Sequence, residues 1–187
     1  MPPPSGRRAP RRAGTARGPE AHQSRKGRSW HFGCKAHIGA DAGSGLVHSV
    51  ETTAANVSGV SMAHALVRED DASCHADSGC TGVAKRPEVA SGPHLSSMRW
   101  TIARKPSAMK GLDCALSAER GIEFRKASVR SKAEHPFLIA KRRSGHPKTR
   151  CRGVRKSSCM PCMAFALADL AMCISAGRSL ASRPEAA

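Results

Sequence analysis

Apolar and polar residues alternate most regularly between Trp30 and Ile38. Apolar side chains stand at every second position of this stretch, and mostly polar or small residues stand between them. A period of two is typical of a β-strand. The turn-forming cluster Asp41–Gly45 comes next, and Leu46–Thr53 follows as a second extended stretch. The pattern therefore predicts a β-hairpin, in which Asp41 is a turn residue rather than a catalytic one.

A helix is predicted over Asn56–Glu69, after this hairpin. Its apolar residues, including Met62 and Leu66, fall on one face of a helix. Ser58 or Ser61 stands where a side-chain hydroxyl can cap the first turn. We therefore expect an amphipathic helix with a serine cap.

Two short strands are predicted further along the chain. One leads from Ser73 to Asp77, and the other spans Trp100–Arg104. Between them, Arg86–Met98 is rich in Pro, Gly and Ser, which predicts a loop. Strand ends in open sheets line ligand crevices, so Asp77 is a candidate catalytic carboxylate. The alternative is that Asp77 only caps a turn.

A long helix is predicted over Leu112–Glu134, although Gly121 weakens its middle. Pro136 lacks a backbone N–H and disfavours helical geometry at the residue before it. We therefore expect a kink or a break just after Glu134. One face carries an apolar stripe that would meet a core. The stripe consists of Ile122, Val129, Ala133 and Phe137.

A final apolar helix is predicted over Met160–Ile174. A helix needs about 20 residues to span a membrane. This stretch is shorter, and Asp169 interrupts it. We therefore expect a helix of a folded domain and no membrane partner.

The composition is strongly basic. The chain has 31 Lys and Arg against 14 Asp and Glu, a formal net charge of +17. Such an excess suits a polyanionic partner, nucleic acid first and an anionic membrane surface second. Residues 1–28 are rich in Pro, Gly and Arg and predict a disordered basic arm. Lys141–Lys156 carries eight Lys or Arg and predicts a solvated segment that faces DNA.

Eight cysteines raise the alternative of a zinc protein. The one close pair is Cys159 with Cys162, and Cys74, His75 and Cys80 are the residues that could complete four ligands. Structural zinc sites usually hold two close pairs. We therefore expect free thiols.

Three histidines accompany the predicted hairpin: His31, His37 and His48. Histidines in one region can indicate a metal site. These occupy strand positions beside a polar face, so we expect surface or DNA-facing residues rather than ligands.

Three charged residues near the end of the long helix share one face. Arg130, Glu134 and Lys141 fall within roughly 40° of one another at about 100° per residue. The helix would then present a carboxylate flanked by two cations. On spacing alone, an ordinary surface ion pair between Arg130 and Glu134 is the favoured interpretation.

The spacing R-x3-E-x6-K, within VRSKAEHPFLIAKRRSG, resembles the glutamate motif of insertion-sequence transposases of the aspartate-aspartate-glutamate (DDE) class. It is most similar to the branch often called insertion-sequence family five, although Ala127 stands where that branch has a tyrosine. The resemblance implies that Glu134 is a metal ligand. It also implies that basic residues near the metal site hold DNA, namely Arg130 and Lys141, to which the basic run adds Arg142 and Arg143.

Two more segments resemble the same family. The string HADSGCTGVAKRPE is similar to its second-aspartate motif, so that Asp77 matches the aspartate and Gly79 the glycine. Cys80 stands where the family has a tyrosine. The run WHFGCKAHIGADAGSGLVHSVETTAANV is the longest resemblance. The resemblance therefore implies Asp77 and Glu134 as the catalytic and metal-binding pair.

The resemblance implies an α/β fold of the ribonuclease H-like class, a mixed sheet flanked by helices. Family members cut DNA with three carboxylates that hold two Mg²⁺ or Mn²⁺ ions. The segment Pro2–Ser5 is similar to one that follows the family's first aspartate, so we expect that aspartate and the first strand to lie upstream of Met1. With two of three carboxylates, metal would bind weakly if at all.

We therefore expect a truncated catalytic domain over residues 29–175, between the basic arm and a disordered tail over residues 176–187. The expected function is that of a transposase fragment, inactive alone, in the bacterial cytoplasm and associated with the nucleoid. Its expected partner is double-stranded DNA at transposon ends, with a possible homodimer and no small-molecule substrate. The alternative is a non-catalytic nucleic-acid-binding or zinc-binding protein.

Overall fold

The computed structural model describes residues 20–105, 116–143 and 153–181. The described part begins with a three-stranded antiparallel sheet in the order β1-β2-β3. Its strands are β1 (His22–Lys26), β2 (Ser29–Ala40) and β3 (Val47–Ala54). The predicted hairpin corresponds to β2 and β3, so that prediction is confirmed. Residues 22–26 were predicted to be disordered and instead form β1. The prediction failed because a run of five polar residues gives little periodic signal.

The turns of this sheet follow from their residues. Gly27 begins the two-residue turn between β1 and β2 at a φ of 60°, which glycine adopts without steric cost. Asp41 closes the turn between β2 and β3, where its Oδ2 accepts hydrogen bonds from the backbone N–H of Ser44 at 2.6 Å and from the Ser44 hydroxyl at 2.8 Å. The predicted turn role of Asp41 is therefore confirmed.

A second, two-stranded parallel sheet contains β4 (Ser73–Ala76) and β5 (Arg99–Ile102). The connection between them contains two short helices, α2 (Pro87–Ala90) and α3 (Pro93–Ser97), where the sequence predicted a loop. Each helix begins with proline, whose fixed φ suits the first helical position. The connection supplies the buried core residues of this sheet, namely Val83, Val89, Leu95 and Met98.

The helix predicted over Asn56–Glu69 is shorter than expected. The structure has a 3-10 helix at Gly59–Met62 followed by α1 (Ala63–Leu66). Ser58 stands at the first cap but makes no side-chain capping bond. The Ser61 hydroxyl donates to the Ser58 carbonyl instead, so the predicted serine cap is wrong.

The long helix α4 covers Leu116–Arg143 and continues through Pro136. The helix therefore has no break after Glu134, which was one of the two expected alternatives. Pro136 is fully buried, and the next residue packs its ring edge-on against Phe165 with the ring centroids 5.0 Å apart. This packing holds the helix together beyond the one hydrogen bond that proline removes. Ile122, predicted to face the core, is exposed.

The last helix, α5 (Val154–Ala181), is nearly twice as long as the apolar stretch suggested, and it extends into the tail predicted to be disordered. Ala164, Phe165 and Ala168 are its buried residues against the three-stranded sheet and α4. Among the described residues, the 24-residue span 154–177 is long and apolar enough to cross a membrane, so the prediction that this helix is too short is wrong. One such helix is weak evidence for a membrane span, because core helices pass the same test.

The described elements form an α/β structure with antiparallel and parallel strands flanked by helices, which agrees with the predicted class. The expectation of one mixed sheet differs from the structure, in which the described strands form two separate sheets. The space between these two sheets contains the candidate site.

Candidate functional site

A groove of about 460 Å³ lies between the two sheets. The end of β2 from Ile38 onward lines one side, and the whole of β4 with Asp77 lines the other. Helix α1 and the middle of α4 close the remaining sides, and α4 contributes Val129, Arg130 and Ala133. The groove therefore brings together the strand-end aspartate and the arginine that the sequence singled out.

Asp77 follows the last residue of β4, as predicted. Its Oδ1 accepts the backbone N–H of Gly79 at 3.0 Å and caps the 3-10 helix Ser78–Cys80. Asp77 also lines the groove. The strand-end position and the turn-capping alternative are therefore both present in the structure, since one carboxylate oxygen caps the turn.

Glu134 does not line the groove. It lies one turn after Arg130 on α4, and the Arg130 guanidinium donates to its carboxylate in an ion pair. The Glu134 side chain is 63% exposed. This geometry is that of the ordinary i,i+4 surface pair, the alternative that the spacing favoured. Arg130 itself reaches the groove and so joins Asp77 to the helix that carries Glu134.

The other predicted DNA-binding residues lie at the end of α4. Lys141 is exposed, and its Nζ lies 5.6 Å from the centre of the Phe137 ring. Arg142 is exposed as well. The side chain of Arg143 lies outside the described residues. The described pair leaves two cations available to an external anion at this end of the helix.

Three further carboxylates line the far end of the groove, those of Asp41, Asp70 and Asp71. Asp41 is held by Ser44, whose hydrogen bonds lower the pKa of its carboxyl. Arg68 pairs with Asp70 at 3.4 Å and with Asp71 at 3.2 Å. Hydrogen bonds from Arg68 outweigh burial and lower the pKa of the Asp71 carboxyl. All three carboxylates are therefore already engaged by neighbouring residues.

The described residues do not fit a metal centre. They contain no group of three His, Cys, Asp or Glu side chains placed to hold a metal ion. Asp77 caps a turn and Glu134 pairs with Arg130, so the carboxylates that the sequence indicated are engaged separately. A two-metal centre needs several oxygen ligands around ions about 3.5–4 Å apart. No such arrangement exists in the described part of the chain.

Two of the thiols are half-buried beside the groove. Burial raises the pKa of Cys74 to about 11, and burial together with Asp77 raises that of Cys80 to about 11. Cys159 and Cys162 are exposed free thiols on α5.

The three histidines of the hairpin differ in how far they are exposed to solvent. His31 is exposed, in line with the prediction, and His48 is half-buried beside Ser49. His37 is only 7% exposed, so its predicted surface position is wrong. Its Nε2 lies 2.9 Å from the Thr53 hydroxyl across the β2–β3 pair, and burial followed by Lys35 lowers its pKa.

Sequence patterns did not indicate two tertiary contacts that position the groove. Lys132 Nζ on α4 donates to the backbone carbonyls of Ala42 at 2.9 Å and Gly43 at 3.0 Å. Glu123 on the same helix accepts the backbone N–H of Arg104 at 2.9 Å, and Lys126 Nζ one turn later donates to the Glu123 carboxylate. These bonds fix α4 against the ends of β2 and β5. A lysine in a basic chain carries no signal for such a role.

The comparison with known families matches most of the chain. Residues 8–170 match the family model described as the transposase DDE domain. No solved structure matches the chain.

Proposed function

Since the chain belongs to the transposase DDE domain family, we propose that it is a DNA-binding relative of the enzymes that cut and join DNA at insertion-sequence ends. The family match carries this proposal, because it covers both segments that contain Asp77 and Glu134. We assign the chain to the insertion-sequence family-five branch on the strings that resemble it. The net charge of +17 supports a polyanionic partner.

The proposed partner is double-stranded DNA. Exposed Lys141 and Arg142 at the end of α4, together with Arg130, supply cations on the helix that also borders the groove. Arg143 completes this basic run in the sequence. Phosphate contacts of this kind give affinity without sequence preference. We propose that transposon ends are the DNA, that the protein acts as a homodimer, and that it is located in the bacterial cytoplasm with the nucleoid.

The proposed catalytic state is an inactive one. Family members typically use divalent metals. In this chain Asp77 and Glu134 are the residues that correspond to family carboxylates, and their engagement with Gly79 and Arg130 supports weak binding of Mg²⁺ or Mn²⁺, if any. We therefore propose that the 187-residue chain binds DNA but does not cleave it.

The proposed complete fold is ribonuclease H-like. The end of β2 from Ile38 and the whole of β4 face one groove between two separate sheets. A strand laid in this groove could pair with both and unite them into the mixed sheet that this fold requires. We propose that this arrangement of strands belongs to the ribonuclease H-like class.

The experiment that tests the proposed function is a salt titration of DNA binding. The purified chain is mixed with a labelled duplex, and the dissociation constant is followed by fluorescence anisotropy over a series of salt concentrations. Because Lys and Arg release counterions from DNA, log Kd should rise steeply with log salt. Two unrelated duplex sequences should bind alike. A slope near zero, or no binding at low salt, would contradict the proposal.

A matched pair of variants locates the contacts. Arg142→Ala removes an exposed cation at the end of α4 and should lower the salt slope by about one. Arg68→Ala removes a cation that Asp70 and Asp71 already neutralise, and should leave the slope unchanged. Equal effects of the two variants would show that binding does not depend on the proposed surface.

A further inference from the structure

Two aromatic side chains project from the tip of the β1–β2 hairpin. Trp30 is 52% exposed and Phe32 is 51% exposed. Both belong to the alternating run that predicts a half-buried strand, but only the later part of that run packs against α5, through Ala36 and Ile38. The two aromatic side chains at the start of the run therefore remain largely exposed to solvent. Large exposed apolar groups of this kind mark interaction sites.

The register places a cation on the same face as these rings. Trp30 pairs directly with Arg25 across the two strands, and Phe32 pairs with Gln23. Directly paired residues point to the same face of a sheet. The Arg25 guanidinium lies 5.9 Å from the centre of the Trp30 ring. Two residues along a strand span about 6.6 Å, so the two rings stand close enough to meet neighbouring groups of one ligand.

The surroundings of these rings are basic. Lys26 and Arg28 flank the turn of the hairpin and are exposed, in addition to Arg25. No acidic residue occurs in the sequence from Ala21 to Ala40. The nearest one before it, Glu20, accepts the backbone N–H of Val154 at the start of α5. Exposed rings beside the cations of a hairpin segment without acidic residues are complementary to a chain that carries phosphates and flat bases.

We propose that the tip of the β1–β2 hairpin binds unpaired DNA, with bases stacking on Trp30 and Phe32 and phosphates meeting Arg25, Lys26 and Arg28. The inference rests on the proposed function as a DNA-binding protein, and adds a preference for single-stranded or unwound DNA. Bases in an intact duplex hide their faces, so stacking of this kind requires a base that has left the helix. The contact is tolerant of sequence, because every base has an aromatic face.

The test compares the affinity for single-stranded and duplex DNA in three variants. Trp30→Leu removes the larger ring, Trp30→Phe keeps a ring, and Phe124→Leu removes a ring that is 76% exposed on α4 away from the hairpin. Binding of a labelled oligothymidylate and of a duplex of equal length is measured by anisotropy. Trp30→Leu should weaken binding of the single strand about fivefold or more, with little change for the duplex. Trp30→Phe should restore most of the loss, and Phe124→Leu should change neither affinity.

Three outcomes overturn the inference. An unchanged single-strand affinity in Trp30→Leu shows that the ring does not stack on bases. An equal loss in Phe124→Leu shows that exposed rings act without regard to position. A change in sedimentation of Trp30→Leu without a change in DNA affinity assigns the rings to a protein contact. In each of these three outcomes, the proposed function still stands if the unmodified chain binds duplex DNA with a steep salt slope. Only the inference about the hairpin then fails. If the parent binds neither DNA, the proposed function fails first.

Discussion

Asp169 on α5 accepts the backbone N–H of Val47, the first residue of β3, with both carboxylate oxygens, at 3.1 Å and 3.2 Å. The two residues are 122 positions apart in the sequence. The bond satisfies a backbone group at the end of the sheet and places the only acid of the described helix against the protein. The bond also holds one face of α5 against β3, while apolar residues elsewhere on the helix are exposed.

Removing this carboxylate should destabilise the fold. Asp169→Ala leaves the Val47 N–H without its partner, which costs about 1–3 kcal/mol. Urea unfolding should show a lower midpoint with an unchanged slope. Asp70→Ala is the control, since its exposed ion pair with Arg68 contributes about 0–1 kcal/mol. Equal midpoints for Asp169→Ala and the parent would show that the bond contributes nothing.

Gly39 in β2 is required by a close approach of the chain. A Cβ at this position would lie 2.5 Å from the Leu66 carbonyl oxygen and 2.6 Å from Cε1 of His48. A backbone oxygen moves only if α1 moves, so Gly39→Ala should cost about 1–3 kcal/mol.

The matched control for this prediction is Gly121→Ala on α4, where a Cβ meets nothing within 4 Å. Alanine favours a helix over glycine by about 1 kcal/mol, so this variant should be more stable than the parent. Urea midpoints of the two variants should move in opposite directions. A midpoint for Gly39→Ala at or above that of the parent would mean that the packing around β2 is looser than the structure has it.

His37 should make the fold sensitive to mild acid. Burial and then Lys35 lower its pKa in the folded state below its ordinary value of about 6.5. Above pH 6.5 the His37 side chain is neutral in both the folded and the unfolded chain, so its titration costs no stability. As pH falls through about 6.5 the unfolded chain takes up the proton first, so stability declines until pH passes the folded pKa. Burial and then Arg68 also lower the pKa of His48, so His48 adds to the same loss of stability in mild acid.

Urea midpoints measured at a series of pH values from about 8 to about 5 test this prediction. His37→Gln should flatten the decline in part, because His48 remains. His31→Gln replaces an exposed histidine and should leave the decline as it is. A parent midpoint that does not fall with pH would contradict the buried position of His37.

The sequence predicted those elements whose signal is local. The alternation in β2, the turn at Asp41 and the strand before Asp77 each depend on residues within a short window, and the structure has all three. The break at Pro136 was wrong because burial of Pro136 and the contact between Phe137 and Phe165 come from a distant helix. Local rules cannot include that packing.

The candidate site was less predictable than the fold. The spacing of Arg130 and Glu134 identified an ion pair, and the structure has it. Spacing alone could not tell that Arg130 lines the groove while Glu134 faces solvent, because that depends on how α4 is rotated against the sheets. Lys132 bonds to Ala42 and Gly43 and so helps to set this rotation.

The central claim is that this chain is a transposase relative in which the proposed catalytic carboxylates, Asp77 and Glu134, do not form a working metal centre. Positioning and charge stabilisation supply most of a phosphoryl-transfer rate, so dispersed carboxylates should abolish cleavage while leaving DNA binding intact. The relevant variant is Glu134→Gln, which removes the charge and keeps the shape. Its control is Glu119→Gln, earlier on the same helix, where the carboxylate pairs with Arg104 at 2.9 Å.

The most direct measurement is nicking of a supercoiled plasmid by the purified chain, with Mg²⁺ or Mn²⁺ at millimolar concentration. We predict that the parent, Glu134→Gln and Glu119→Gln all leave the plasmid supercoiled while the parent binds it. Cleavage by the parent that Glu134→Gln abolishes and Glu119→Gln retains would contradict the account, because Glu134 would then act in an assembled catalytic site.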